Sequence, residues 1–333
     1  MLLRLLALAA VVSAELPSVY RRPTFAVNVT SDVPYASTLV NCTNKTDAST
    51  CAEESVLLDA HVPANDSVAS GRPVVMAVHG GSFTGGSKTS EEPPCDYWAS
   101  RGFVCFDVDY RLQKDLGAYP GSIAWWPALT VPRASWMPPL SAMYPSTRDV
   151  RAALRWIHAN AGEYGGDARA SLTIEGGSAG ATAAMAIAVV GGGDAAAFAG
   201  DYTDELLGSD ATLASTHLEQ APTVTGFIDY WGGLFAVDAM TTKDGASRWS
   251  SASPPTIAFH GTNDTTVAPA SGDVMCSNLT ALGATCLKVD LPGEAHACWD
   301  ATVELDDGSR QSIFDYAFDF MAGACGWSVI EAP

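Results

Sequence analysis

The sequence predicts an α/β protein in which a mostly parallel sheet is covered by helices on both faces. Three observations carry that expectation. Short, continuously apolar runs such as Val74 to Val78 read as strands buried on both sides; helical periodicities separate them; and residues 171–184 combine a strand, a glycine-rich turn and a small-residue helix. Strands alternating with helices imply right-handed crossovers, and in such sheets functional groups gather in the loops at the carboxyl ends of the strands.

Met1 to Ala14 carries one basic residue, an apolar run and the small-residue ending Val12-Ser13-Ala14, the pattern of a secretory signal cleaved before Glu15. The run is too short to span a bilayer, so a soluble secreted or lumenal protein without stable membrane insertion is expected. Residues 15–52 read as a peripheral N-terminal extension. Residues 53–333 read as one domain, because no linker or composition break divides them.

Within that domain Val56 to His61, Val74 to Val78 and Phe103 to Val108 read as strands. Asp149 to Ala159 reads as a helix, from Val150, Leu154 and Ile157 at helical spacing after the cap candidates Ser146 and Thr147. A strand at Leu172 to Ile174 leads through the glycine turn into a helix from Ala181 to about Val190. Further strands are expected at Val224 to Asp229, Thr256 to Phe259 and Cys286 to Leu291, with helices near Ser271 to Leu282 and Gln311 to Met321. Gln113 to Tyr144 is read as an irregular, stiff insert, with prolines at 120, 127, 132, 138 and 139 among Trp125, Trp126 and Trp136.

The formal charge of −19, from 37 acidic and 18 basic residues, opposes binding to nucleic acid or anionic membranes. Eight cysteines suit an oxidising compartment, and order along the chain suggests Cys42 with Cys51, Cys95 with Cys105, Cys276 with Cys286 and Cys298 with Cys325. Sequons at Asn28, Asn41, Asn44, Asn65, Asn263 and Asn278 suit a glycoprotein.

Gly176-Gly177-Ser178-Ala179-Gly180 is a G-x-S-x-G turn between strand and helix. A serine at the tip of so sharp a turn needs nearly side-chain-free neighbours two before and two after it, and the turn lifts its hydroxyl above the sheet as a nucleophile. Gly80 and Gly81, after the strand ending at Val78, leave backbone amides free to face an anion; with the amide of Ala179 they form the candidate oxyanion hole. His79 reads as structural. Asp264, in the loop after Thr256 to Phe259, is the candidate acid, ahead of Asp273 and Asp229. His296, after Cys286 to Leu291, is the candidate general base. Ser178, Asp264 and His296 follow the chain order of one serine-hydrolase fold and not of two others.

On these residues the chain resembles the α/β-hydrolase superfamily, within it the esterase/lipase groups with an H-G-G oxyanion motif, and most of all the feruloyl-esterase-like branch and its hormone-sensitive-lipase-like relatives. The resemblance rests on H-G-G-S-F-T-G-G-S-K at 79–88, D-Y-R-L at 109–112, D-V-R-A-A-L-R-W-I at 149–157, Y-G-G-D at 164–167, G-G-S-A-G at 176–180, F-H-G-T-N-D at 259–264 and P-G-E-A-H at 292–296. It covers roughly residues 55–322. It implies an α/β-hydrolase fold and a serine carboxylesterase without cofactor, acting on a small-molecule or polymer-linked ester through Ser178, Asp264 and His296. The sequence departs from the pattern at Ser82, in place of a third oxyanion glycine, at Glu175, and in the long insert at 113–144, expected as a lid-like segment whose Trp125 and Trp126 wall the substrate. A peptidase or amidase on the same residues, and a silent binding protein on the same fold, are the alternative readings.

Overall fold

The computed structural model describes residues 17–43, 47–65, 67–68, 70–90, 94–116, 133–189, 220, 223–234, 249 and 251–331, with only the backbone described for 133–141 and 144. The expected signal sequence, Trp125 and Trp126 lie outside the described residues.

Eight strands form the main sheet: β2 (Val27–Val40), β3 (Ala52–Pro63), β4 (Val74–Val78), β5 (Val104–Val108), β6 (Leu172–Gly177), β7 (Gly226–Tyr230), β8 (Thr256–Gly261) and β9 (Cys286–Leu291). Their order is β2-β3-β5-β4-β6-β7-β8-β9, and β3 alone runs against the others. Strand β6, which leads into Ser178, therefore lies in the interior of the sheet. Two small pairs stand apart: β1 (Val19–Tyr20) with β12 (Val329–Ile330), and β10 (Thr302–Glu304) with β11 (Arg310–Ser312). The 15–52 segment expected as a peripheral extension supplies β2, the edge strand of the main sheet.

The central strands are apolar throughout because each face meets its own core. Val74, Met76 and Val78 of β4 join one cluster, against α2 (Arg133–Asn160), α3 (Ala179–Ala188) and α4 (Ala270–Ala281). Val75 and Ala77 join the other, against α1 (Cys95–Ala99) and α5 (Ile313–Cys325). α5 starts where Ser312 accepts the Asp315 amide and stops at Gly326, whose φ of 69° ends it in the left-handed region.

One expectation fails at α2. The helix begins at Arg133, not near Asp149, so 133–144 is helical and not an irregular loop. Prolines at 138, 139 and 145 argue against a helix by propensity, and Ser146 and Thr147 look like caps. In the structure both hydroxyls instead donate back one turn, Ser146 to Ala142 O and Thr147 to Met143 O, each at 2.7 Å, and Ala142 and Met143 pack into the core. Tertiary burial overrides the local signal.

Three of the suggested disulfides form, Cys42–Cys51, Cys95–Cys105 and Cys276–Cys286. The fourth does not: Cys298 and Cys325 are free. Cys298 follows the carboxyl end of β9, whereas the Cys325 thiol contacts Thr225 O at the amino end of β7, so the two sit at opposite ends of the strands.

Candidate active site

Ser178 joins β6 to α3 with φ 53° and ψ −115°, a conformation that side-chain-bearing residues rarely adopt. Its neighbours show why the turn needs glycine. A Cβ on Gly176 would lie 2.5 Å from the Gly180 carbonyl carbon, and one on Gly180 would lie 2.1 Å from Val78 O. The Ser178 amide donates to Tyr230 O at 2.9 Å, which extends the β6–β7 ladder into the turn.

Three of the expected residues meet there. His296 Nε2 is 2.9 Å from Ser178 Oγ, and His296 Nδ1 is 2.7 Å from Asp264 Oδ2. A carboxylate only accepts, so Nδ1 carries the proton and Nε2 presents its lone pair to the serine hydroxyl. Asp264 Oδ1 accepts the amides of Thr266 and Val267 at 2.8 and 2.9 Å. Burial opposes charge on this carboxyl, but the His296 hydrogen bond and those two amides outweigh it and hold the pKa below the ordinary range.

The acid and base loops are tied to each other. The Gly293 amide donates to Thr262 Oγ1 at 2.8 Å, and the Asn263 amide to Glu294 O at 2.9 Å. Gly261 permits this approach, since a Cβ there would sit 2.4 Å from Glu294 O. The rival carboxylates are engaged elsewhere: Asp229 is buried and accepts the Gly232 amide at 2.6 Å, and Asp273 pairs with Lys288 at 3.0 Å.

Gly80 packs on the Ser178 turn. A Cβ there would stand 3.4 Å from Ser178 Cβ and 2.9 Å from Gly177 O. Gly81, with φ 111°, turns the chain so that its carbonyl accepts the Thr84 and Gly85 amides, both at 3.0 Å. Ala179 is the first residue of α3, where an amide has no helical acceptor and the dipole favours negative charge. His79 is buried, stacked on Tyr110 at 4.2 Å, and its Nδ1 lies 2.7 Å from Gly80 O. Burial lowers its pKa, which suits a neutral structural ring. A cavity of about 230 Å³ opens beside this loop, lined by Gly86, Asp109, Tyr110 and Arg111 among others, but neither Ser178 nor His296 lines it.

Sequence reading missed an aromatic cluster beside the Ser178 turn. Trp299 lies against Gly177, whose Cβ would come within 2.6 Å of the ring, and its centroid is 4.6 Å from Trp231 and 5.1 Å from Tyr230. The only signal was a tryptophan three residues after His296. Glu175, where the sequence departs from the family pattern, is fully buried, accepts the Trp98 indole N–H at 2.8 Å and so pins α1 to β6. Among the described residues one group has metal-ligand types close together, His61, Cys95 and Asp107, and there Cys95 is committed to its disulfide with Cys105.

The mostly parallel sheet, its crossovers and its helices define an α/β protein, with Ser178, His296 and Asp264 brought together at one end of the strands. Solved structures with a similar fold include those of one esterase. A thermophilic esterase from the planctomycete Thermogutta terrifontis, Est2, matches with a TM-score of 0.57 at 19% identity, covering 86% of this chain and 92% of that one. The same esterase phosphorylated by paraoxon gives 0.54 at 21%, covering 85% and 90%. Phosphonylated by sarin it gives 0.55 at 20%, covering 86% and 94%. At these identities the likeness is one of fold. No protein-family model matches the chain, and no curated protein matches it either.

Proposed function

We propose that the protein is a secreted serine carboxylesterase of the α/β-hydrolase type that works through an acyl-enzyme. The observation that carries this reading is the unbroken Ser178–His296–Asp264 hydrogen-bond chain at a strained strand-to-helix turn. Ser178 Oγ attacks the ester carbonyl carbon while its proton passes to His296 Nε2. The amides of Gly80, Gly81 and Ala179 stabilise the oxyanion. The carbon–oxygen bond to the alcohol then breaks, and His296 returns the proton to the leaving oxygen. Water repeats the sequence in reverse, giving the acid and free Ser178.

The fold neighbour supports this reading, since it is an esterase that organophosphates modify and whose structures also hold propionate and butyrate. Three disulfides support an oxidising compartment, and no helix among the described residues is long and apolar enough to cross a membrane. Trp125 and Trp126, in the insert after β5, wall the acyl or aryl group of the substrate, and the insert acts as a lid; this rests on their place in the sequence. A fluorophosphonate probe should label Ser178, and an activated aryl ester should give a burst followed by steady turnover. Wild-type turnover in Ser178→Ala would sink the assignment.

A further inference from the structure

Asp264 is held by more than the base. The same Oδ2 that faces His296 lies 3.2 Å from Nε2 of a second imidazole, His260, which is fully buried at the end of β8. That Nε2 is also 3.0 Å from Val267 O. Both neighbours are acceptors, so a lone pair on Nε2 would face two oxygens; the nitrogen must carry a proton. Nδ1 is buried and meets no partner among the described residues, so a second proton there would be an unsatisfied donor. The ring is therefore the neutral Nε2–H tautomer. Burial, which lowers its pKa, acts in the same sense.

We infer that His260 is a positioning residue for the acid: its Nε2–H spans Val267 O and the Asp264 carboxylate and fixes the direction in which Oδ2 meets His296. This deepens the esterase reading and rests on it. The acid loop is closed as a ring. Asp264 Oδ1 takes the Thr266 and Val267 amides, and Val267 gives its carbonyl back to His260 on the strand that launches the loop. With both carboxylate oxygens engaged on the loop side, rotation of the carboxyl away from His296 breaks contacts that the fold cannot replace. The partial positive charge on Nε2–H also draws charge from Oδ2 and so moderates its pull on the His296 proton.

The other charges facing His260 are few. By strand register Lys288 and Asp290 of β9 and Asp229 of β7 share its face. Lys288 is paired with Asp290 at 2.5 Å and with Asp273 of α4 at 3.0 Å.

The test compares His260→Leu, which removes the donor, with His260→Gln, whose amide can donate in its place. In His260→Leu, kcat on an aryl ester should fall about 10-fold or more while KM stays within about twofold. The acid limb of kcat/KM should move up by about half a pH unit as the His296 imidazolium gains the freed charge. His260→Gln should restore most of kcat and the wild-type limb. Wild-type kcat and pH profile in folded His260→Leu would overturn the proposal. So would equal losses in both variants that track a fall in melting temperature, which mark a packing role alone. A measurement on the unaltered protein guards against misfolding: nitrogen-15 histidine spectra should show His260 as Nε2–H across the active pH range, and an Nδ1–H or doubly protonated ring there would overturn it. Failure of the esterase reading itself is seen separately, as absent probe labelling at Ser178 in wild type.

Discussion

The Trp98 indole donates to Glu175 at 2.8 Å, a tie between the helix on one face of the sheet and the strand that carries the nucleophile. Burial pushes the Glu175 carboxyl up to about 8 from an ordinary 4.5, against the opposing hydrogen bonds from Trp98 and Tyr230. A carboxyl that holds its proton longer in the folded state contributes stability that is complete below the ordinary value and lost as pH rises towards 8. Glu175→Gln keeps the acceptor and cannot ionise. Urea unfolding at pH 5 and pH 8.5 should show the variant near wild type at the lower pH and more stable by on the order of 3 kcal/mol at the higher. A difference independent of pH would contradict this account.

Gly180 and Gly177 flank the nucleophile but should respond differently to alanine. At Gly180 the new Cβ meets Val78 O at 2.1 Å, backbone that the sheet holds in place. Loss of about 3 kcal/mol or more and of activity is expected. At Gly177 the obstacle is the Trp299 ring at 2.6 Å, a side chain that can turn aside. There the cost should be about 1 kcal/mol, with a change in ester preference, read by thermal melting and a substrate panel.

Arg111 and Asp149 form a buried pair in which Nε and Nη2 each reach a carboxylate oxygen at 2.8 Å, and the same carboxylate takes the Arg111 amide at 2.9 Å. This anchors α2 to the loop after β5. Asp149→Ala removes the carboxylate that neutralises the buried Arg111 guanidinium and should cost about 3–5 kcal/mol in chemical unfolding. The double variant Arg111→Met, Asp149→Leu should recover a large part of that loss.

Trp299→Ala opens the side of the nucleophile turn. Ester preference should shift towards bulkier acyl groups with probe labelling at Ser178 retained, measured as kcat/KM across an acyl series. Trp126→Ala should also change that preference, between short and long or aromatic esters, without lowering the melting temperature. A uniform loss on all esters with a large drop in melting temperature would assign either residue to packing.

Much of this was legible in the residues. Strands β4 and β9 have the expected bounds, Val74–Val78 and Cys286–Leu291; for β4 the reason is that a strand buried on both faces carries no polar residue to blur its ends, whereas β9 is an edge strand that carries Lys288 and Asp290. Ser178, Asp264 and His296 were legible because each follows a strand and carries distinctive neighbours. Strand β2 was not: it is a largely exposed edge with five of its fourteen residues from Asn28 to Asp32 in water, and its pairing with β3 is a tertiary fact. His260 was equally hidden. Nothing in F-H-G-T-N-D shows that Val267, seven residues on, folds back to the ring. The Cys298–Cys325 guess failed for a related reason, since order along the chain does not tell which end of the sheet a loop occupies.

Each of the three disulfides closes a stretch whose cysteines are only 9 or 10 residues apart, so the covalent graph of the protein is a single thread with three small rings. Apart from the chain itself, only hydrogen bonds, ion pairs such as Arg101–Asp315 and packing join the part before Cys105 to the part after Cys276. Cut at a surface loop between those two cysteines, the protein should leave halves held together only through the sheet and its contacts, associated in native buffer. In detergent they would separate without any reductant. One half would carry Gly80 and Gly81, and the other Asp264 and His296, so the nicked but undenatured protein is a natural two-piece complementation system whose recovered activity reports the reassembly of the sheet.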